Sequence, residues 1–305
     1  MAARDLVWTD LLDPDRAELA ARVPHVLHPT ALEQLLAPTR HDDEPRPSIE
    51  SHGDYVFGVF LVAVSAPEED SVYYQEVDVV LTRETVITVR KTPPGRDAYD
   101  TALVHEACVA SGAHTPGLIA YHLVDDVAER YLDLIDAIDE EIEELEDNVD
   151  VWPSDRVRAR IGGLRHDLLH IRRTLAPTRD ALRKVVDNRV DLEEELFDRD
   201  VEIAFGNAYD KLLRATEGLE LARDLIAGVR DFHQSKIAND QNEVMKRLTA
   251  IASLLLLPTF IVGLYGQNFH NMPELGWGFG YWWSWGLIVV TTFLQLWFFR
   301  RKRWL

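Results

Sequence analysis

Two long apolar runs near the C-terminus constrain this chain more than anything else in it. Residues 248–265, LTAIASLLLLPTFIVGLY, contain no charge, and neither do residues 281–299, YWWSWGLIVVTTFLQLWFF. At about 1.5 Å per residue, each spans roughly 27–29 Å as a helix, close to the ~30 Å hydrocarbon core of a bilayer. Two buried core helices are the competing explanation. Neither run has a polar face, so two membrane spans are expected.

The flanks suggest an orientation. Lys246 and Arg247 precede the first run, Arg300, Arg301, Lys302 and Arg303 follow the second, and residues 266–280 between them hold neither Lys nor Arg. Basic residues favour the cytoplasmic end of a span, so both termini are expected inside, in a multi-pass protein of the cell (inner or plasma) membrane in contact with lipid. Trp282, Trp283 and Trp285 then fall at the outer interface, and Trp297 and Trp304 at the inner one. The opening MAARDLVWTDLLDPD has charges where a signal peptide carries its apolar stretch.

Charge narrows the partners. The 305 residues include 32 Lys and Arg against 52 Asp and Glu, a formal net charge of −20. Nucleic acid is disfavoured, because phosphate binding needs a basic surface. Ordinary solubility and a role in meeting divalent cations both fit. The single Cys108 excludes an intrachain disulfide framework and any multi-cysteine metal site. No Walker-type glycine loop and no Ser/His/Asp order suggests catalysis, so neither an enzyme nor a cofactor is expected.

Three regions follow. Residues 1–118 read as a small α/β domain, with a helix at 29–36, the breaker-rich APTRHDDEPRPSIESHG, and strands at 55–64, 72–82 and 85–90. Residues 119–246 read as a helical stalk region. Ala128, Tyr131, Ile135, Ile138, Ile142, Leu145 and Val149 recur at steps of three and four, beside a solvated acidic face, DEEIEELEDNVD. Trp152-Pro153 breaks that helix. Ile161, Leu164, Leu168, Ile171 and Leu175 mark a second, expected to end before Pro177 and to run antiparallel to the first. Leu212, Leu219 and Ile226 form a third seam. Residues 247–305 form the transmembrane hairpin.

Residues 230–247, RDFHQSKIANDQNEVMKR, are polar nearly all round, which suits several copies surrounding a water-filled entrance. Beyond them Met245, Leu248, Ala252, Leu256, Thr259 and Gly263 share one helix face. Such a face either lines a pore with narrow apolar constrictions or packs against another helix. His166 and His170, four apart on a helix, read as a solvated face, and His270 lies in the loop between the spans.

That loop carries LYGQNFHNMPEL, which resembles the outer end of the CorA family of divalent-cation transporters: a Tyr-Gly-Met-Asn-Phe segment followed by Met-Pro-Glu-Leu. Asn242-Glu-Val-Met-Lys246, the strand-like HGDYVFGVFLV, the acidic helices and the terminal RRKRWL fit the same family. The resemblance implies an α+β membrane protein with an N-terminal cytosolic α/β/α domain, long stalk helices and two C-terminal transmembrane helices. It also implies a homopentamer whose first spans line one pore. Gly266, Gln267, Asn268 and Glu274 would form the mouth, Asn242 and Thr259 further polar rings, and Asp231 a carboxylate ring in the vestibule. The transported ion is expected to be Mg2+, with Co2+ and Ni2+ as further ions.

Two departures stand out. Gln267 occupies the family's Met position, which ZntB-like zinc transporters also vary. The family's regulatory Leu-Glu-Asp matches Leu32-Glu33-Gln34, and its stalk aspartate falls on Asn207 by ungapped counting from Asn242. Two amides supply no charge, so the resemblance implies a weakened regulatory metal site, with Glu33 and Asp210 as substitutes. The alternatives are a ZntB-like transporter of Zn2+ or another divalent ion, with proton coupling, and a non-conducting membrane-anchored scaffold.

Overall fold

The β-branched and aromatic residues between 55 and 91 build the centre of a mixed sheet. The structure is a computed structural model and describes residues 7–23, 27–39, 44–66, 71–190, 196–268, 270 and 272–305. Phe269 and Asn271 of the loop motif, residues 40–43 of the breaker-rich loop and Leu192 lie outside the described residues. Three strands occupy the middle of the sheet: β3 (Val56–Ala66), β4 (Ser71–Leu81) and β5 (Thr85–Lys91). β1 (Val7–Leu12) and β2 (Ser48–Ser51) form the edges, in the order β1-β5-β4-β3-β2. β1 runs parallel to β5, and all other neighbours are antiparallel.

Both faces of the sheet are covered, so β3 reads as an almost unbroken apolar run rather than an alternation. On one face, Phe57, Val59, Val80 and Ile87 pack with Leu19 of α1 (Arg16–Arg22) and Leu35 of α2 (Pro29–Leu36). On the other, Phe60, Val62, Val77 and Val79 join the core of α3 (Ala102–Ser111), α4 (Pro116–Asn148), α5 (Ser154–Val186) and the first part of α6 (Arg199–Tyr265). The apolar stripes of α4 and α5 are buried throughout, and Arg160 pairs with Glu141 at 2.8 Å, as antiparallel neighbours require.

Pro177 does not end α5, contrary to the sequence expectation. The helix continues to Val186, with Leu175 buried before the proline and Ala181, Leu182 and Val185 buried after it. Packing on both sides outweighs one missing N–H. Nearby, the Thr178 hydroxyl donates to the Thr174 carbonyl at 2.8 Å and the Thr174 hydroxyl to Ile171 at 3.0 Å.

α6 enters this core through Val201, Phe205, Ala208, Leu212, Ala215, Leu219, Ala222, Ile226 and Val229, at alternating steps of four and three. Gly218 brings it close to α4: a Cβ there would stand 2.7 Å from the Ile135 side chain. Lys211 ties the same helices together, 2.8 Å from both Asp125 and Glu129. Burial works against its charge, but the hydrogen bonds it donates to those carboxylates hold its pKa above the usual lysine value.

Residue contacts group Met1–Arg230 into one unit and Asp231–Leu305 into a second, and α6 contributes to both. The second unit also holds a short 3-10 helix (Pro273–Gly276) and α7 (Gly280–Arg301). α6 and α7 are long and apolar enough to cross a membrane.

Candidate functional site

Within the second unit, α6 meets α7 along one side only. Ala250 and Ile261 are buried and Ser253, Leu254, Leu257 and Pro258 half-buried. On α7 the corresponding face is Ser284, Leu287, Ile288, Thr291, Gln295, Leu296 and Phe299. Leu248, Ala252, Leu256, Thr259 and Gly263 each sit two positions from a residue of that seam, about 200° round the helix. All five are exposed, as is Met245, and Leu256 is 70% so. The stripe is therefore not the face that packs against α7.

Its lower approach is bare on every side. All residues from 238 to 249, Asn242 among them, are exposed, and so is Asp231. Nothing lies within 4 Å of a Cβ placed on Gly263. The Thr259 hydroxyl is bonded back to the Leu255 carbonyl at 2.7 Å.

At the top, α6 closes when the Gly266 N–H donates to Val262 O at 2.9 Å, and Gln267 and Asn268 follow as exposed residues. Gly266 does not adopt a left-handed backbone. Glu274 is half-buried on the 3-10 turn, where its carbonyl accepts from Trp277 N–H at 3.3 Å. A residue that sequence reasoning missed fixes this corner. A Cβ on Gly280 would collide with the Glu274 carbonyl, so only glycine starts α7 against that turn. Its signal was the spacing of glycines in GWGFG. His270 is exposed.

In the first unit, the expected regulatory residues divide. Glu33, Asn207 and Asp210 are exposed. Gln34 is half-buried, and its Nε2 donates to Glu76 Oε1 at 3.0 Å. Glu76 belongs to a buried cluster that the sequence did not announce. Lys91 Nζ lies 2.5 Å from Glu76 Oε1 and 2.9 Å from Asp78 Oδ2, and donates to the Gln34 carbonyl at 2.6 Å. Cross-strand register sets Glu76 opposite Lys91. Burial pushes the Asp78 carboxyl well above the usual carboxylate range, Lys91 pulls it down, and Glu76 pushes it up again. Gln34 thus joins α2 to the sheet.

The histidine pair is not wholly a solvated face. His166 is exposed, but His170 is half-buried, edge-on to Tyr74 and 3.2 Å from Glu44. Among the described residues no three His, Cys, Asp or Glu side chains converge in a way that could hold a metal ion. The acidic run of α4 exposes most of its carboxylates and buries Ile142, Leu145 and Val149. Burial pushes the Cys108 thiol up to about 11, which leaves it unreactive.

The family model for the CorA-like Mg2+ transporter protein matches residues 3–301. The chain is similar to the putative metal ion transporter YfjQ of Bacillus subtilis, 30% identical over 97% of this chain and 89% of that one. It is also similar to the cobalt/magnesium transport protein CorA of Thermotoga maritima, 27% identical over 98% and 83%. The complete structure of the CorA magnesium transporter from Methanocaldococcus jannaschii superposes with a TM-score of 0.79 at 22% identity, covering 99% of this chain and 92% of that one. That match establishes the same architecture: an N-terminal α/β domain, long helices and a C-terminal two-helix hairpin. With the family matched along nearly its whole length, this chain belongs to the CorA-like family of divalent-cation transporters.

Proposed function

We propose that the chain assembles as a homopentamer around one pore, formed by the α6 stripe, and moves Mg2+ through it. Co2+ and Ni2+ are further ions. Both termini lie in the cytoplasm, residues 1–118 and 119–246 form its cytosolic domain and stalk, and residues 247–305 form the spans. One observation supports this reading above the rest. The stripe from Met245 to Gly263 is on the face of α6 turned away from α7, and Asn268 follows where that helix ends.

The chemistry fits the residue types. Mg2+ is small, prefers octahedral oxygen ligands and dehydrates reluctantly. A ring of Asn268 amide oxygens can hydrogen-bond the waters of a hydrated ion without stripping them, whereas a carboxylate ring at the neck risks holding the ion too tightly to release. Glu274 adds negative potential outside and Asp231 inside, Asn242 adds a neutral polar ring, and Met245, Leu248 and Leu256 narrow the path between. The membrane potential supplies about 4.6 kcal/mol for a divalent ion per 100 mV, twice the single-charge value.

Gln267 favours a second reading, a ZntB-like transporter of Zn2+ with proton coupling, because it exposes a second amide beside Asn268. Uptake by reconstituted vesicles with and without a pH gradient separates the two. The pore itself is tested by growth rescue of a strain lacking its own Mg2+ uptake. The native chain is expected to rescue and Asn268→Ala to fail; equal rescue removes Asn268 from the mouth, and no rescue or uptake by either favours the scaffold.

Regulation follows from the same residues. Gln34 bonds inward to Glu76, and Gln34 and Asn207 are both amides, so closure by cytosolic Mg2+ at this site is weak. Glu33 and Asp210 are the exposed carboxylates left to serve it.

A further inference from the structure

Pro258 opens a gap in the hydrogen-bond ladder of α6 inside the span. It has no N–H, so the Leu254 carbonyl loses its regular donor, and the ring crowds that carbonyl. The carbonyls on either side each gain an extra donor. On α6 itself the Thr259 hydroxyl donates to Leu255 O at 2.7 Å, and from α7 Gln295 Nε2 donates to Ser253 O at 3.3 Å. Gln295 is therefore attached to α6 at the proline gap.

Its other half is unspent. Gln295 Oε1 is buried and has no hydrogen-bond partner among the described residues. Thr291, one turn earlier on α7, behaves differently: its hydroxyl returns to the Leu287 and Ile288 carbonyls of its own helix, at 2.7 and 3.1 Å. A threonine can satisfy itself in hydrocarbon, whereas this amide leaves an oxygen unpaired. A leucine in its place would leave no polar atom to satisfy.

We infer that Gln295 is a positioning residue, pinning α6 to α7 beside the Pro258 gap so that Leu256 and Thr259, which flank the proline, keep their place on the opposite face. The pin concerns the hairpin alone; its effect on transport rests on the proposed pore. The test compares the native full-length chain with Gln295→Leu and Gln295→Asn in lipid nanodiscs, by amide hydrogen exchange of residues 254–262. A membrane-buried hydrogen bond of ordinary strength gives about threefold faster exchange when Leu replaces Gln, with Asn between the two. In vesicles, the maximal Mg2+ uptake rate of the Leu variant should change while the half-saturating concentration, set at the mouth, does not. Exchange as slow in the Leu variant as in the native chain overturns the pin. A changed half-saturation at unchanged maximal rate overturns the positioning role. A native chain that moves no ion, with exchange still raised in the variant, sinks the pore reading and leaves the pin standing.

Discussion

Replacing Lys91 by methionine is expected to destabilise the Met1–Arg230 unit far more than an ordinary surface change. The ammonium lies 2.5 Å from Glu76 and 2.9 Å from Asp78, and the three side chains are 4%, 3% and 0% exposed. Methionine keeps the length and apolar stem of lysine and removes only the charge and its donors. Two carboxylates would then share an interior with no cation, and the Gln34 carbonyl would keep only the Ala37 N–H of its two donors. Breaking a buried ion pair from one side costs about 3–5 kcal/mol. Burial already pushes the Asp78 pKa up and losing Lys91 removes what pulls it down, so the carboxyl sheds part of that cost by taking up a proton, and the lower end applies. For a unit of this size, about 3 kcal/mol lowers the melting temperature by roughly 6–12 °C. Circular dichroism of the detergent-solubilised full chain on heating measures the shift. A Lys91→Met, Glu76→Gln, Asp78→Asn triple variant should recover most of it, because no charge remains buried. A single variant melting within about 2 °C of the native chain, or a triple variant no better than the single, refutes the reasoning.

Asp78→Asn tests the same cluster through pH. The carboxyl titrates higher folded than unfolded, so its contribution is fully present below the unfolded carboxylate range and is lost as pH rises through the raised folded value. The variant should therefore gain on the native chain as pH is taken from about 4 to about 8, and a constant gap between their melting curves counts against it. For regulation, millimolar Mg2+ should give the native chain little protection from protease. Strong protection that disappears in a Glu33→Ala, Asp210→Ala variant would instead show those two carboxylates serving the site.

What the sequence disclosed depended on how far each element stands on its own. The hairpin and α4 were legible because a long uncharged run or a sustained three-four spacing needs no partner to be recognised. β1 and β2 were not. VWTDLL becomes a strand by pairing with β5, where Asp10 meets Arg90 at 2.7 Å, and the four-residue SIES becomes one only on the edge of β3. The α6 seam was read at Leu212, Leu219 and Ile226, while the interleaved Ala208, Ala215 and Ala222 went unread. Small residues carry little hydrophobic signal. Glu76 and Asp78 alternate with valines, as on a solvated strand face, and only the register with Lys91 and the cover of α2 make them interior.

The candidate pore shows the same division. Periodicity placed Met245, Leu248, Ala252, Leu256, Thr259 and Gly263 on one face but not what that face meets. The chain's own α7 is now removed from the choice, because it occupies the other side of α6. For a membrane span that leaves lipid or another copy of the chain. Lipid suits Leu248 and Leu256, but it offers nothing to the polar stretch that leads into the stripe, where Asn239, Asp240, Gln241, Asn242 and Glu243 are exposed in succession. Five consecutive polar residues cover every side of a helix, so whatever surrounds that stretch is wet. A ring of copies around a water-filled path accommodates the polar stretch and the apolar stripe with one arrangement. The face toward α7 was unreadable for the converse reason: the second span looks uniformly apolar, and Gln295 acquires meaning only from Ser253 and the proline gap it faces.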